Sequence, residues 1–220
     1  MIETVRIIGA GRVGSAVSAR LRERGVGLPE QGPVDVVLLC VPDRSIGDVA
    51  VQVEPGPWIG HVSGATPLAA LEPHTRRFSL HPLQTFTRAR GPEQLDGAWA
   101  AVTAETADGA AVATELAGLL GLRPFALADD RRVLYHAAAA FVSSYVVTLH
   151  RAAERLFAAA GAPPEALVPL MLRTIDNGFQ MTGPIVRGDR VTIDAHLDAL
   201  AREAPELEGL YRCLAEASRP

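Results

Sequence analysis

Residues 5–25 read VRIIGAGRVGSAVSARLRERG, and this stretch decides the fold. The apolar run from Val5 to Ile8 is followed at once by a GxGxxG motif and then by apolar residues at helical spacing up to Gly25. Between a strand and a helix, such glycines allow a tight turn, the approach of a pyrophosphate and close helix packing. The motif therefore predicts a dinucleotide-binding loop made of Gly9, Ala10, Gly11, Arg12, Val13 and Gly14.

Strands and helices alternate after this loop. Residues 34–41 (VDVVLLCV) form the continuous apolar run that is typical of a strand covered on both faces of a parallel sheet. Further strands are predicted at residues 58–62, 77–80, 98–103 and 124–127, and helices at 44–53, 67–74 and 106–120. This order predicts an α/β fold, with a mostly parallel, doubly wound Rossmann-like sheet.

The pattern changes after Asp129. Residues 130–160 contain neither Gly nor Pro and are rich in Ala and Leu, so we expect one long helix there. Three more helices are predicted at residues 165–182, 190–203 and 205–217. We expect a nucleotide-binding domain over residues 1–128 and an all-helical domain over residues 129–220, which binds substrate and forms a dimer.

The segment after the first helix is shorter than this fold requires. A second strand should end in an acidic residue for the ribose hydroxyls, or in an Arg for a 2′-phosphate. Residues 25–33 (GVGLPEQGP) are too few and too rich in Gly and Pro for a further strand and helix. Either the second strand is missing, which we prefer, or residues 34–41 are that strand and Asp43 contacts the ribose.

Composition excludes several kinds of chemistry. All 21 basic residues are Arg, so enzymes that need a catalytic or phosphate-binding Lys are excluded. The net charge of −4 argues against nucleic acid as the main partner. Cys40 and Cys213 match no metal or redox spacing, and we expect no metal. The sequence has no signal peptide and no apolar stretch that approaches 18 residues, so we expect a cytoplasmic protein without membrane attachment.

Several motifs resemble known families. GAGRVGSAVSARLRERG and VVLLCVPDRSIGDVA are similar to the cofactor loop and the following strand of pyrroline-5-carboxylate reductases and related NADP oxidoreductases. HVSGATPLAAL, FSLHPLQTF, YHAAAAFVSSYVVTLH and TGPIVRGDRVTIDAHLDAL resemble uncharacterised bacterial proteins that join a Rossmann-like domain to a helical domain of unknown function. Those proteins belong to the 6-phosphogluconate-dehydrogenase C-terminal-like superfamily.

This resemblance implies an oxidoreductase that uses NADP or NAD and forms a homodimer through its helical domain. Related hydroxyacid dehydrogenases place a Lys and an Asn on the long helix as general acid and substrate anchor. This chain has no Lys, and its single Asn, Asn177, lies elsewhere. Any catalysis must therefore rest on other groups.

Two histidines are the main catalytic candidates. His136 begins the long helix, and Ser143 lies on the same face two turns later. His81 and Gln84 follow a predicted strand at its carboxyl end, where ligands of open α/β sheets bind. An imidazole with a pKa near neutrality can protonate a carbonyl oxygen during hydride transfer.

The remaining site candidates follow two other strands. Ser63 comes after a strand end and can bind a carboxylate or the nicotinamide amide. Val41 and Pro42 should lie near the nicotinamide end of the cofactor, and Asp43 is also a predicted cofactor-binding residue. Together the residues predict an NAD(P)-dependent oxidoreductase that reduces a small keto or imino acid. The alternative is a non-catalytic nucleotide- or metabolite-binding protein that has lost the redox cofactor, which the shortened domain and the absent Lys favour.

Overall fold

The computed structural model describes residues 1–219. Its centre is one sheet of six strands in the order β1-β2-β3-β4-β5-β6. Strands β1 to β4 are parallel, β5 is antiparallel to β4, and β6 is parallel to β5. The strands are β1 Val5–Ile8, β2 Val36–Leu39, β3 Trp58–His61, β4 Arg77–Pro82, β5 Trp99–Ala104 and β6 Arg123–Ala126. The predicted α/β class and mostly parallel sheet are confirmed.

The helices of the first half cover both faces of the sheet. They are α1 Arg12–Glu23, α2 Ile46–Ala50 and α3 Ala107–Leu120. Val17 of α1 and Leu38 belong to one core cluster, whereas Ile46 of α2 and Leu39 belong to another. Since neighbouring residues of a strand point to opposite faces, α1 and α2 lie on opposite sides of the sheet. The segment predicted as a helix at 67–74 is a short 3₁₀ turn, Leu68–Leu71.

A remnant of the second strand lies beside β1. Thr4 and Gly27 form a single parallel bridge, in which the N–H of Val5 donates to Gly27 and the N–H of Gly27 donates to Glu3. The opposite edge of β1 pairs with β2. The order in which strands are added to the sheet therefore reverses after Gly27. With right-handed connections, such a reversal places helices on both faces of the sheet. The second strand is thus reduced to one bridge, which supports the shortened domain and not the alternative with residues 34–41 as second strand.

The helices of the second half are α4 Arg132–Val142, α5 Ser144–Ala159, α6 Leu167–Asp176, α7 Arg190–Glu203 and α8 Pro205–Ala217. The prediction of one long helix over residues 130–160 is wrong, because Ser143, with φ −121° and ψ −81°, interrupts it. Helix α6 ends at Asp176, earlier than the predicted end at residue 182. Phe179, beyond this end, has a left-handed backbone with φ 57°. The last two helices begin and end where the sequence predicts.

The chain divides into two compact units, Met1–Phe141 and Val142–Pro220. The division falls at the helix break, later than the boundary after residue 128 expected from the sequence. Arg132 explains the difference, because its buried side chain bonds to residues of the first unit and so ties the start of α4 to the sheet. The predicted boundary lies where strands give way to helices, whereas the division between the compact units lies at the end of α4.

One helical stretch, Asp129–Ala159, is long and apolar enough to cross a membrane by length and composition alone. A single stretch of this kind is weak evidence, since core helices of water-soluble proteins pass the same test. None of its most apolar window is buried within this chain. The stretch therefore presents an apolar surface that the single chain leaves uncovered.

Candidate functional site

The glycine loop connects β1 to α1 with contacts that only glycine permits. A Cβ on Gly9 would stand 2.4 Å from the carbonyl oxygen of Cys40, and one on Gly14 would stand 1.9 Å from that of Gly9. Both positions therefore exclude a side chain. Gly11 differs, because a Cβ there would meet nothing within 4 Å. The loop thus has the tight turn, the close helix packing and the open approach that a pyrophosphate requires.

Cationic side chains border the open side of Gly11. A cavity of about 400 Å³ is lined by Gly11, the start of α1 and residues 87–92, and it includes Arg12, Arg88 and Arg90. The free N–H groups at a helix N-terminus attract anions, and guanidinium groups bind phosphate in a bidentate manner. This cavity fits the phosphates of a dinucleotide, and Arg88 and Arg90 were not among the residues predicted from the sequence.

The predicted residues Asp43 and Ser63 meet at the carboxyl ends of β2 and β3. The Ser63 hydroxyl donates to the Asp43 carboxylate at 2.7 Å. It also accepts the backbone N–H groups of Ala65 and Thr66 at 3.2 and 3.0 Å. Asp43 follows the strand on the far side of β1 from Gly27, so its carboxylate faces the Ser63 turn. Asp43 stays a prediction as a cofactor-binding residue, and its position after β2, which pairs with β1 on the edge opposite Gly27, gives no support to a contact with the adenosine ribose.

A fully buried arginine holds this turn in place. Arg132 is 0% exposed, and its guanidinium donates to the carbonyl oxygens of Thr66, at 2.7 Å, and Ser63. A third bond, of 2.8 Å, reaches the Thr103 hydroxyl on β5. Asp129 lies 3.9 Å away, and burial lowers the pKa of Arg132. Arg132 thereby joins α4, the sheet and the Ser63 turn.

His81 and His136 come together beside the same turn. Their ring centroids are 5.9 Å apart with the rings nearly perpendicular, and Nδ1 of His81 lies 2.8 Å from the hydroxyl of Tyr135. A Cβ on Gly64 would stand 2.6 Å from the ring of His136 and 2.9 Å from Nε2 of His81. Gly64 therefore leaves room for both rings, and Nε2 of His81 lies beside the place that a side chain at residue 64 would fill.

Burial sets the protonation of this cluster. It lowers the pKa of His81 to about 4, helped by the nearby His136 and Arg132, so the imidazole is uncharged at neutral pH. Burial also raises the pKa of Tyr135 to about 12. Beneath them, burial and Arg132 lower the pKa of His61 to about 3, and its Nδ1 accepts the N–H of Ser63 at 3.2 Å. His61 and His81 are consequently uncharged at neutral pH.

Two predicted residues do not join the cluster. Gln84 uses both ends of its amide within its own loop, donating to the carbonyl of Gln94 at 3.0 Å and accepting the N–H of Thr85 at 2.8 Å. Ser143 lies at the break between α4 and α5 and belongs to the second unit. Both remain predictions as substrate contacts, while Gln84 has an evident role in shaping the loop.

Sequence reasoning missed two residues of the cluster. Arg132, Tyr135 and His136 are spaced i, i+3 and i+4, which places them on one face of α4. An arginine and a tyrosine on the same face as the candidate histidine were the available signal. The DDRR run at residues 129–132 obscured it, because runs of charge usually lie in solvent.

The second half of the chain is similar to a known protein family. A family model described as domain of unknown function DUF2520 matches residues 98–218, more than half of the chain. No curated protein matches the sequence significantly. Within residues 1–219, no group of three or more His, Cys, Asp or Glu side chains is placed to hold a metal.

Three solved structures illustrate the fold. A protein from Bacteroides fragilis, provisionally described as an NADP oxidoreductase, has a TM-score of 0.83 at 20% identity, covering 98% of this chain and 97% of that one. A semialdehyde dehydrogenase NAD-binding protein from Cupriavidus necator, in complex with calcium and NAD, has 0.64 at 19%, covering 96% and 99%. A 1-pyrroline-5-carboxylate reductase from Streptococcus pyogenes has 0.62 at 16%, covering 97% and 95%. At these identities the likeness establishes the fold.

Proposed function

This chain belongs to the DUF2520 family, and we propose that it is an NAD(P)-dependent oxidoreductase that reduces a small keto or imino acid. One observation carries the proposal. The phosphate-binding loop after β1 and the polar cluster after β3 and β4 lie at the carboxyl ends of neighbouring parallel strands. A ligand of an open α/β sheet binds at that edge, where the strand order reverses.

The residues present fit a nicotinamide dinucleotide. Gly9, Gly11 and Gly14 would hold its pyrophosphate with Arg12, and Val41 and Pro42 would border its nicotinamide end. When bound, the nicotinamide supplies the hydride. Similar folds described as NADP oxidoreductase and as NAD-binding support this class of cofactor.

The chain supplies the proton and orients the substrate. Because His81 is uncharged at neutral pH, it serves as a hydrogen-bonding group for the carbonyl oxygen or imine nitrogen. His136 is exposed and adjacent, so it can exchange protons with solvent and deliver one to that atom. Ser63, fixed by Asp43, would bind the substrate carboxylate or the nicotinamide amide.

The test begins with binding. We expect NADH or NADPH to show saturable binding by nicotinamide fluorescence, and Gly11→Asp to abolish it by placing a negative charge where the phosphates bind. Gly118→Asp is the matched control, because a Cβ on Gly118 also meets nothing within 4 Å but the residue lies on α3. Absence of saturable binding at millimolar nucleotide would refute the proposal.

Turnover is the second test. In a screen of keto and imino acids, His136→Ala and His81→Ala should each lower kcat by about 10²-fold or more and leave nucleotide affinity nearly unchanged. His150→Ala, on α5, is the control. Binding without turnover on any substrate would favour the alternative function, a non-catalytic nucleotide-binding protein. The single-bridge remnant of the second strand and the absence of Lys favour that alternative.

We also propose that the chain forms a cytoplasmic homodimer through its helical half. The described part of the second unit, residues 142–219, buries only Leu167, Leu200 and Ala204 among its hydrophobic side chains. Large apolar side chains of α5 and α6 are at least 40% exposed: Tyr145, Val147, Leu149, Val168, Leu170, Leu172 and Ile175. So small a core cannot stabilise the unit alone, and a second copy offers matching apolar helices.

Sedimentation at micromolar concentration should give twice the mass of the chain. Leu170→Asp, which places a charge on this surface, should release monomer or prevent folding. A folded wild-type monomer over the same concentration range would contradict the dimer. The wild-type protein should also appear in the soluble cell fraction.

A further inference from the structure

Tyr135 and His81 form a hydrogen-bonded pair in the candidate site. The Tyr135 hydroxyl lies 2.8 Å from Nδ1 of His81, and the two rings meet edge to face with 5.5 Å between their centroids. Phe125 of β6 lies edge to face with the Tyr135 ring, at 5.9 Å between centroids. Ring packing as well as the hydrogen bond therefore holds the hydroxyl at one particular nitrogen of His81.

The partners of the Tyr135 hydroxyl determine the direction of this hydrogen bond. Burial raises the pKa of Tyr135 to about 12, so the hydroxyl keeps its proton at neutral pH. Arg132, the charged group that acts on Tyr135, can donate but cannot accept. Among residues 1–219, the acceptor that the structure shows for the phenolic proton is Nδ1 of His81. The proton of the neutral imidazole must then lie on its other nitrogen, Nε2.

A ligand can reach Nε2 of His81. A Cβ on Gly64 would stand 2.9 Å from Nε2, so the absence of a side chain on this glycine leaves space beside that nitrogen. His81 is partly exposed, and the adjacent His136 is exposed. In the described part of the chain, the hydrogen bond of the His81 ring is the one at Nδ1. The site therefore offers the N–H at Nε2 to a ligand atom.

The charges around His81 disfavour a cationic ligand. Burial lowers the pKa of His81, the neighbouring His136 and Arg132 lower it further, and Asp43 raises it least. The Asp43 carboxylate is also engaged by the Ser63 hydroxyl at 2.7 Å. A ligand atom that gains negative charge is therefore stabilised beside this ring, whereas a positive one is not.

A donor at Nε2 distinguishes the two substrate classes of the proposed function. A keto acid presents a carbonyl oxygen with free lone pairs. Its reduction adds the hydride of the nicotinamide to the carbonyl carbon, moves the π electron pair to oxygen and adds a proton there, so the ketone becomes an alcohol and the cofactor is oxidised. The oxygen gains negative charge during this step, and a donor stabilises it. An imino acid accepts a hydride as the protonated iminium, whose N–H has no lone pair to offer to Nε2.

We propose that Tyr135 is a positioning residue, which donates its hydroxyl proton to Nδ1 of His81, fixes the imidazole proton on Nε2 and so makes the site select keto acids over imino acids. The selection rests on the proposed function, because it requires that a hydride acceptor binds beside His81. The tautomer of His81 does not, because it can be measured without cofactor or substrate.

Long-range ¹H–¹⁵N correlation spectra of histidine-labelled protein at neutral pH show which imidazole nitrogen carries the proton. His81 is identified by the loss of its signals in His81→Gln, and in wild type we expect its proton on Nε2. Tyr135→Phe removes the hydroxyl and keeps the ring, so both tautomers of His81 should appear. Tyr211→Phe is the matched control, because the Tyr211 hydroxyl lies 2.8 Å from Nδ1 of His196 and their rings also meet edge to face. It should alter the signals of His196 and leave those of His81.

Kinetics tests the selection. The probes are 2-ketopentanoate and 1-pyrroline-2-carboxylate, which both have five carbons and an acceptor carbon beside a carboxylate, together with the wider screen of keto and imino acids. In wild type, kcat/KM should favour the keto acids by about tenfold or more, as expected for one hydrogen bond to an atom that becomes charged. Tyr135→Phe should reduce this preference to about threefold or less by lowering kcat for the keto acid with KM little changed. Tyr211→Phe should leave it unchanged. In a His81→Gln background, Tyr135→Phe should have no further effect, since no tautomer remains to be fixed.

A proton on Nδ1 of His81 in wild type, or an unchanged tautomer in Tyr135→Phe, would overturn the role of Tyr135. Imino acids reduced as well as keto acids, or an unchanged preference in Tyr135→Phe, would refute the selection and leave the oxidoreductase intact. If the tautomer is as expected and neither class is reduced, the selection is refuted together with the proposed function, while Tyr135 keeps its role in fixing the tautomer.

Discussion

Replacing Arg132 with Met tests the main support of the candidate site. The methionine keeps most of the buried stem but removes three donors, which leaves the carbonyl oxygens of Ser63 and Thr66 and the Thr103 hydroxyl without that partner. Each unsatisfied buried group costs about 1–3 kcal/mol. Part of this cost is recovered because the buried guanidinium charge also disappears, so we expect a net loss of about 3–5 kcal/mol. For a chain of this length, that corresponds to a fall in Tm of roughly 6–20 °C.

Tryptophan fluorescence during urea unfolding measures this loss in the correct part of the chain. Both tryptophans, Trp58 and Trp99, belong to the first unit. Arg131→Met is the matched control, because its side chain is 68% exposed, and we expect it to cost less than about 1 kcal/mol. If the Arg132 variant does not fold, Thr103→Val, which removes the bond from Arg132 and the bond to the Leu127 carbonyl, should cost about 1–3 kcal/mol. Equal stabilities of the Arg132 and Arg131 variants would refute a supporting role for the buried guanidinium.

Two further predictions concern the loop and the histidines. Gly14→Ala should abolish nucleotide binding and lower stability by about 1–3 kcal/mol, because its Cβ meets the Gly9 carbonyl. Gly118→Ala, in open space on α3, should raise stability by about 0.5–1 kcal/mol. Equal unfolding midpoints of the two variants would contradict this contrast. The pKa values of His61 and His81, about 3 and 4, lie below the ordinary 6.5. Between pH 6.5 and 5 the unfolded chain therefore takes up protons that the folded chain does not, so stability should fall as the pH drops over this range. The slope over this range should be shallower in His61→Gln, and an unchanged slope would show that His61 protonates equally in both states.

The predictable features were those that depend on local sequence. The glycine loop, the buried strand at residues 34–41 and the helix stops at Gly25 and Gly121 were evident because backbone conformation and burial restrict which residues can occupy them. The meeting of His81 with His136 was expected from strand ends and the domain junction. Their precise environment was not predictable, because the bond to Tyr135 depends on how α4 rests on the sheet.

The errors occurred where packing overrode local preference. An unbroken stretch without Gly or Pro predicted a continuous helix, yet the chain breaks at Ser143, where the two compact units divide. Arg132 was missed because it lies in a run of charged residues, and the acceptors that bury it are far away in the chain. The helix break and the burial of Arg132 both depend on contacts between residues far apart in the chain.

The shortened domain bears on which part of a dinucleotide the proposed oxidoreductase would contact. The deletion removes the second strand and leaves β1, the glycine loop and β2, which together form the edge where the strand order reverses. In the proposed oxidoreductase these elements would contact the phosphates and the nicotinamide end, whereas the place where a complete domain contacts the adenosine ribose lies beside residues 28–30. Gly27 fixes this remnant through its two backbone bonds to β1, so the deletion shortens the second strand while Glu3 and Val5 keep backbone partners on that edge of β1.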